Sequence, residues 1–251
     1  MKIIISPAKK MNVDTDTFEW MAMPRFLEKT EQLMHYIRSC SLEQCRQIWK
    51  CSDKIAVLNY DRFQHMDLRR SLTPAIVSYE GLQYQYMAPT VLEQEALDYL
   101  QGHLCILSGF YGVLRPFDGV VPYRLEMQSG LGGEEIDSLY EFWGDLLFRS
   151  VTEEGEGLIL NLASREYSRS IERYLKAPGG QGITYITCIF GEEKEGRVKE
   201  KGTYAKMARG EMVRFLAENR IEDIEKAKSF NRLGFRFSAS HSDEARLVFL
   251  R

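Results

Sequence analysis

The segment from Leu104 to Met127 constrains the fold most. It opens as an apolar run, Leu104 to Leu107, of the length and composition of a buried strand. The run breaks at Ser108 and Gly109, and Arg115, Asp118, Arg124 and Glu126 follow among glycines and prolines. An apolar strand that empties into a loop carrying both signs of charge is where α/β proteins commonly place a ligand site. Two arginines and two carboxylates so near a core strand predict a working surface.

The 251 residues suffice for one large core, and a formal net charge of −3 excludes a uniformly basic nucleic-acid binder. Attraction to phosphate must therefore come from local clustering. Five cysteines (Cys40, Cys45, Cys51, Cys105 and Cys188) form an odd set without C-x-x-C spacing, which points to a reducing compartment. His35, Cys40, Cys45 and Cys51 invite a zinc reading, but steps of five and six residues scatter side chains around a helix. No metal centre and no cofactor is predicted. Lys2 with Ile3, Ile4 and Ile5 is too short for a signal segment, and no run approaches the roughly 18 apolar residues of a membrane span. The expectation is a cytoplasmic protein.

Ile3–Ile5, Leu158–Leu162 and Ile183–Phe190 read as strands, with Phe235–Phe237 and Leu247–Leu250 as a closing pair. Helices are predicted over Pro24–Cys40, Val91–Leu100, Glu134–Phe148, about Glu166–Leu175, and Thr203–Lys228 with a break near Asn219. Neither a repeat nor a linker divides the chain. The prediction is a single α+β domain over residues 1–251, a mixed sheet surrounded by helices.

Three strand exits share a pattern. Ile3–Ile5 leads into Ser6, Pro7, Ala8, Lys9 and Lys10; Leu104–Leu107 leads into Ser108 and on to Arg115; Leu158–Leu162 leads into Ala163, Ser164 and Arg165. If the strands are parallel, hydroxyls and cations meet at one sheet edge beside a helix N-terminus, an arrangement suited to phosphate. The segment Lys194–Arg214 is locally basic, with seven Lys or Arg against three Glu, and contributes Lys206 and Arg209. Its composition alone favours an ordinary solvated helix face, and Glu192, Glu193 and Glu195 just upstream weaken the electrostatic case.

Ser41-Leu42-Glu43-Gln44 is a capping-box pattern that starts a short helix, and Ser52 is placed to open a second one. This element, Ser41–Met66, resembles a helix-hairpin-helix, in which amides at the second helix's start hold a DNA phosphate. Lys50, Ser52 and Lys54 would make that contact. The turn lacks the usual glycines and carries Asp53, so a purely structural αα-hairpin stays open. Motifs of the well-marked enzyme classes, such as G-x-x-x-x-G-K-S/T, G-x-S-x-G and H-E-x-x-H, are absent.

Several motifs together resemble the YaaA family, also described as DUF328 or UPF0246. They are I-S-P-A-K-K at Ile5–Lys10, L-S-G-F-Y-G-V-L-R-P at Leu107–Pro116 and P-Y-R-L-E-M at Pro122–Met127. L-Y-E-F-W at Leu139–Trp143, N-L-A-S-R-E-Y at Asn161–Tyr167 and A-K-M-A-R-G-E-M at Ala205–Met212 complete the set. The resemblance implies a cytosolic protein of the hydrogen peroxide response that limits free iron and oxidative DNA damage. It also implies a single-domain fold with a positively charged cleft and a helix-hairpin-helix element, here Ser41–Met66.

The resulting expectation is a protein that binds duplex or branched DNA by backbone shape, independent of sequence. Lys50, Ser52 and Lys54 would anchor one phosphate run. Lys9, Lys10, Ser108, Arg115, Arg124, Ser164, Arg165, Lys206 and Arg209 would line a cleft. The rival expectation is an enzyme acting on a nucleotide or damaged base in that cleft, with Glu126 or Asp118 as general acid or base. Direct iron binding lacks a suitably spaced group of histidines and carboxylates.

Overall fold

Lys2–Ile5 (β1) is buried at every position. Successive side chains of a strand point to opposite faces, so such a strand must be covered on both sides. Leu104–Ser108 (β2) follows the same rule, and Leu158–Asn161 (β4) is buried over its last three residues. The computed structural model describes residues 1–132, 137–153 and 157–251, and these three strands form its centre.

β1 pairs in parallel with β2 on one side and with β4 on the other. Thr184–Lys194 (β5) continues the parallel array beyond β4, and Arg246–Leu250 (β8) continues it beyond β5. Antiparallel strands close both edges: Gly112–Leu114 (β3) on β2, and Arg236–Phe237 (β7) on β8. Arg197–Lys199 (β6) folds back on the end of β5, completing a mixed sheet of eight strands. The fold is the single α+β domain that the alternation of apolar runs and amphipathic stretches predicts.

The long connection from β1 to β2 carries Leu27–Ser39 (α1), Leu42–Trp49 (α2), Asp53–His65 (α3), Leu82–Met87 (α4) and Gln94–His103 (α5). Leu139–Trp143 (α6) and Leu146–Thr152 (α7) precede β4, and Arg165–Glu172 (α8) joins β4 to β5. Gly202–Glu218 (α9) and Ile224–Ala227 (α10) follow β6. The expected break near Asn219 falls where α9 ends, and Arg220 there takes a left-handed φ of 47°.

One predicted helix is corrected. The apolar stripe of Glu134–Phe148 suggests a continuous helix, but residues 133–136 lie outside the described part and the rest is broken in two. Ser138 caps α6 by accepting the Glu141 N–H at 3.2 Å, and Gly144 ends it at φ 52°, ψ −133°. That conformation is open to glycine and closed to residues with a Cβ.

The α2–α3 hairpin is fixed to the sheet by aromatic packing. Trp49 at the end of α2 stacks on Phe63 of α3 at 5.7 Å, and Phe63 meets Phe110 edge-on at 5.3 Å. Phe110 lies in the turn that leaves the carboxyl end of β2, so all three rings tie the hairpin to that end. Each buried ring contributes roughly 1.5–3 kcal/mol. On the other side of the same edge, α9 packs on α4 through Gly210. A Cβ there would sit 2.2 Å from the Gln83 carbonyl oxygen, so only glycine permits the approach.

Candidate functional site

The parallel pairing of β4, β1 and β2 brings their carboxyl ends to one edge, and a cleft opens above it. Its volume is ≈ 380 Å³, and it is lined by the β1 exit (Ser6 to Lys10), the Tyr123–Glu126 segment and Ser164. Glu80 to Tyr84, Glu166, Tyr167, Lys206 and Arg209 complete the wall. Five cations (Lys9, Lys10, Arg124, Lys206 and Arg209) and three glutamates (Glu80, Glu126 and Glu166) line it. Of the three strand exits expected to meet, those of β1 and β4 do so, placing Lys9, Lys10 and Ser164 on one cleft, while Arg124 reaches it from a loop and Lys206 and Arg209 from α9.

Hydroxyls and phenols make the floor. The Ser164 N–H donates to Ser6 Oγ at 2.8 Å, Ser6 Oγ donates to Ser164 Oγ at 3.1 Å, and Tyr84 Oη donates to the Ser6 carbonyl at 3.0 Å. Tyr123 Oη lies 2.6 Å from Ser108 Oγ and 2.9 Å from Tyr79 Oη. Burial pushes the Tyr123 phenol up to about 12, so it stays neutral and able to donate.

Most cleft cations have carboxylate neighbours. Lys10 Nζ pairs with Glu80 at 2.6 Å, Lys9 Nζ with Glu126 Oε2 at 3.3 Å, Arg124 Nη2 with Glu126 Oε1 at 3.0 Å, and Arg209 Nη2 with Glu200 at 3.3 Å. Lys206 is exposed and has no carboxylate within ion-pair distance among the described residues. The pairing is incomplete in a telling way. Arg124 Nε, Glu126 Oε1 and Arg209 Nε are buried without a hydrogen bond; the Arg124–Glu126 contact has ion-pair distance but lacks hydrogen-bond alignment. Buried polar atoms are nearly always satisfied, and each orphan costs about 1–3 kcal/mol. Among the described residues the fourth such atom is Trp49 Nε1; the other three all belong to cleft residues. Burial also raises the Glu166 carboxyl, although the Gln128 N–H donates to its Oε1 at 3.2 Å.

The hairpin has the expected start: the Gln44 N–H donates to Ser41 Oγ, and the Ser41 N–H donates to Gln44 Oε1 at 2.7 Å, a complete capping box. Lys50 takes a left-handed φ of 44°, the role glycine usually fills in such a turn. Ser52 occupies the cap position of α3, but its side chain makes no cap hydrogen bond. Asp53 pairs with Arg46 Nε at 2.6 Å, which offsets the charge that would oppose an anion. Lys50, Ser52 and Lys54 are all exposed. Burial pushes the Cys51 thiol up, Arg124 pulls it down and Glu126 raises it, so the turn lies within electrostatic reach of the cleft.

Four residues expected in the cleft fall elsewhere. Ser108 is fully buried, held by Tyr123 and by the N–H groups of Phe110 and Tyr111, and offers nothing to a ligand. Arg115 and Asp118 sit at the opposite end of the sheet. β3 runs antiparallel to β2, pairing Ser108 with Gly112 and Ile106 with Leu114, and so carries the chain back before Arg115 begins. Both residues line a separate cavity of ≈ 320 Å³ with Lys2, Leu104 and Cys105. Asp118 Oδ2 accepts the Arg115 N–H at 2.8 Å, and burial pushes its carboxyl up to about 6. Arg165 lies just beyond the cleft, in a shallower depression that shares Glu166 with it.

Sequence reasoning missed Glu80, Gln83, Tyr84 and Glu166 as cleft residues. Glu166 adjoins Ser164 and Arg165 and was within reach of the strand-exit argument; Glu80 to Tyr84 carry no local signal.

Comparison with known proteins gives one answer. The family described as "Peroxide stress protein YaaA" matches residues 1–241. A UPF0246 protein of Desulfitobacterium hafniense (strain Y51) is 54% identical over 251 residues, covering 100% of this chain and 98% of the relative. A UPF0246 protein of Lachnoclostridium phytofermentans is 51% identical, covering 100% and 96%, and one of Pediococcus pentosaceus is 47% identical, covering 100% and 98%. With a family match across nearly all its length and relatives this similar over whole chains, the protein belongs to the YaaA family of peroxide stress proteins.

Proposed function

We propose that this chain is a cytoplasmic DNA-binding protein of the peroxide stress response that grips the phosphate backbone independent of base sequence. The observation that carries this reading is the gathering of Lys9, Lys10, Arg124, Lys206 and Arg209 around one cleft at the carboxyl end of the parallel strands. Phosphate oxygens are the acceptors that guanidinium groups bind most strongly. The exposed Lys206 and the Lys9 and Lys10 rim add screened charge. On the α2–α3 turn, Lys50 and Lys54 are exposed and add cations that a phosphate backbone could meet.

Titrating labelled duplex, single-stranded and branched DNA over a range of salt tests this. Log affinity should fall linearly with log salt, with a slope of about −0.9 per phosphate contact on duplex. Affinity indifferent to salt would refute the reading.

One observation favours a second reading. Glu126 Oε1 is buried without a hydrogen bond beside Arg124, which suits a group that accepts a proton or an N–H from a nucleotide or damaged base. Glu126→Gln separates the two: a binder keeps its DNA affinity, whereas an enzyme loses turnover.

A further inference from the structure

The cleft cations are largely paired, but a second set is not. Arg165, Arg169 and Arg173 recur at four-residue steps along α8 and its C-cap, all exposed. The opposite face of α8 buries Tyr167, Ser168, Ser170 and Ile171, so the arginines form one outward row. Among the described residues none of the three has a carboxylate within ion-pair distance. The two carboxylates on the same helix are otherwise engaged: Glu166 Oε1 accepts the Gln128 N–H at 3.2 Å, and Glu172 Oε1 accepts the Tyr185 hydroxyl at 3.0 Å.

The row is also partly ordered. The Arg169 guanidinium lies 5.2 Å from the Tyr140 ring centroid and that of Arg173 lies 5.5 Å from the Tyr174 ring. Tyr140 in turn donates its hydroxyl to the Glu166 carbonyl at 2.7 Å. Stacking on an aromatic face limits rotamer freedom and leaves the N–H edge of the guanidinium open.

The row adjoins the cleft. Ser164 lines the cleft and Arg165 follows it in the chain, while Glu166 borders both the cleft and the depression that holds Arg165 and Arg169. Steps of four residues advance about 6 Å along a helix.

We propose that the exposed arginine row Arg165–Arg169–Arg173 is a phosphodiester-backbone track that extends the cleft and leads a DNA strand to or from it. This rests on the DNA-binding reading above and assigns to α8 the unpaired charge that the cleft itself largely lacks.

The test compares the full-length parent with Arg165→Gln/Arg169→Gln/Arg173→Gln on the same labelled duplex across a salt series, with thermal melting to verify the fold. The variant should bind more weakly at low salt, and its log–log slope should be shallower by about 0.9 for each arginine that contacts a phosphate. If the triple variant melts early, the single change Arg169→Glu carries the test, and it should weaken binding more than Arg169→Gln does. A parent that binds with a variant of unchanged affinity and slope overturns the track and spares the cleft. A parent that shows no saturable binding to any DNA overturns the DNA reading itself.

Discussion

The two ends of strands β1 and β2 hold charged cavities of similar size and opposite character. At the carboxyl end, ≈ 380 Å³ of space is walled by five cations and three glutamates, and three of these side chains keep buried atoms without hydrogen bonds. At the amino end, ≈ 320 Å³ is lined by Lys2, Arg115 and Asp118, where the Lys2 ammonium donates to the Gly102 carbonyl at 2.7 Å and Asp118 caps its own turn. One end leaves polar atoms unsatisfied and the other consumes them. The same strands thus carry the edge proposed to bind and an edge whose polar groups are consumed internally; ligand sites in open α/β sheets commonly lie at the carboxyl ends.

The largest expected effect is at the binding edge. Arg124→Ala leaves Glu126 nearly buried with Lys9 as its remaining partner, since both side chains of the pair are only 12% exposed. Breaking a buried pair costs about 3–5 kcal/mol when the remaining charge is uncompensated, and less here because Lys9 stays beside Glu126; urea unfolding measures it. Replacing both members with apolar residues should restore much of that stability, while DNA affinity stays reduced about tenfold or more. If the double replacement still binds like the parent, the pair is structural and the comparison fails.

A smaller effect, of opposite kind, is expected at the structural edge. Burial raises the Asp118 carboxyl from 3.8 to about 6. Between those values the folded state keeps a proton that the unfolded chain has lost, so stability falls as pH rises through this window. The loss amounts to at most about 3 kcal/mol. Asp118→Asn keeps an oxygen for the Arg115 N–H and should flatten that slope without changing DNA affinity. Urea titrations from pH 4 to 7 read it; an unchanged slope contradicts the assignment.

Much of this contrast was legible in the sequence, and the part that was not has a definite cause. Short apolar runs at Ile3–Ile5, Leu104–Leu107 and Leu158–Leu162 gave the parallel core and so the meeting of Ser6, Ser164 and Lys9 at one edge. The capping box at Ser41–Gln44 was equally local and equally readable. What misled was nearness along the chain. Arg115 and Asp118 stand beside Arg124 and Glu126 in sequence, yet the β2–β3 reversal sends the first pair to the far end of the sheet before the chain returns. Long-range pairing was also invisible: nothing local to Lys10 announces Glu80, 70 residues away. The Gly144 break hid inside a helical period that continues across it.

The smallest effect concerns the thiols. Burial pushes Cys45 and Cys188 up to about 12, whereas Cys51 is half-buried on the hairpin turn. A thiol reagent at neutral pH should label Cys51 in the folded protein and reach Cys45 and Cys188 only after unfolding. Labelling of Cys188 as fast as Cys51 would mean that the sheet interior opens readily.

The carboxyl-end cleft is proposed as the polyanion site, and the amino-end cavity is not. Fluorescence anisotropy of labelled duplex DNA with Arg209→Gln and with Arg115→Gln, each across the same salt series, tests it most directly. Arg209→Gln should weaken binding several-fold and make the salt slope shallower by about 0.9, while Arg115→Gln should leave both within twofold of the parent. Equal losses from the two substitutions, or a loss from Arg115→Gln alone, would contradict it.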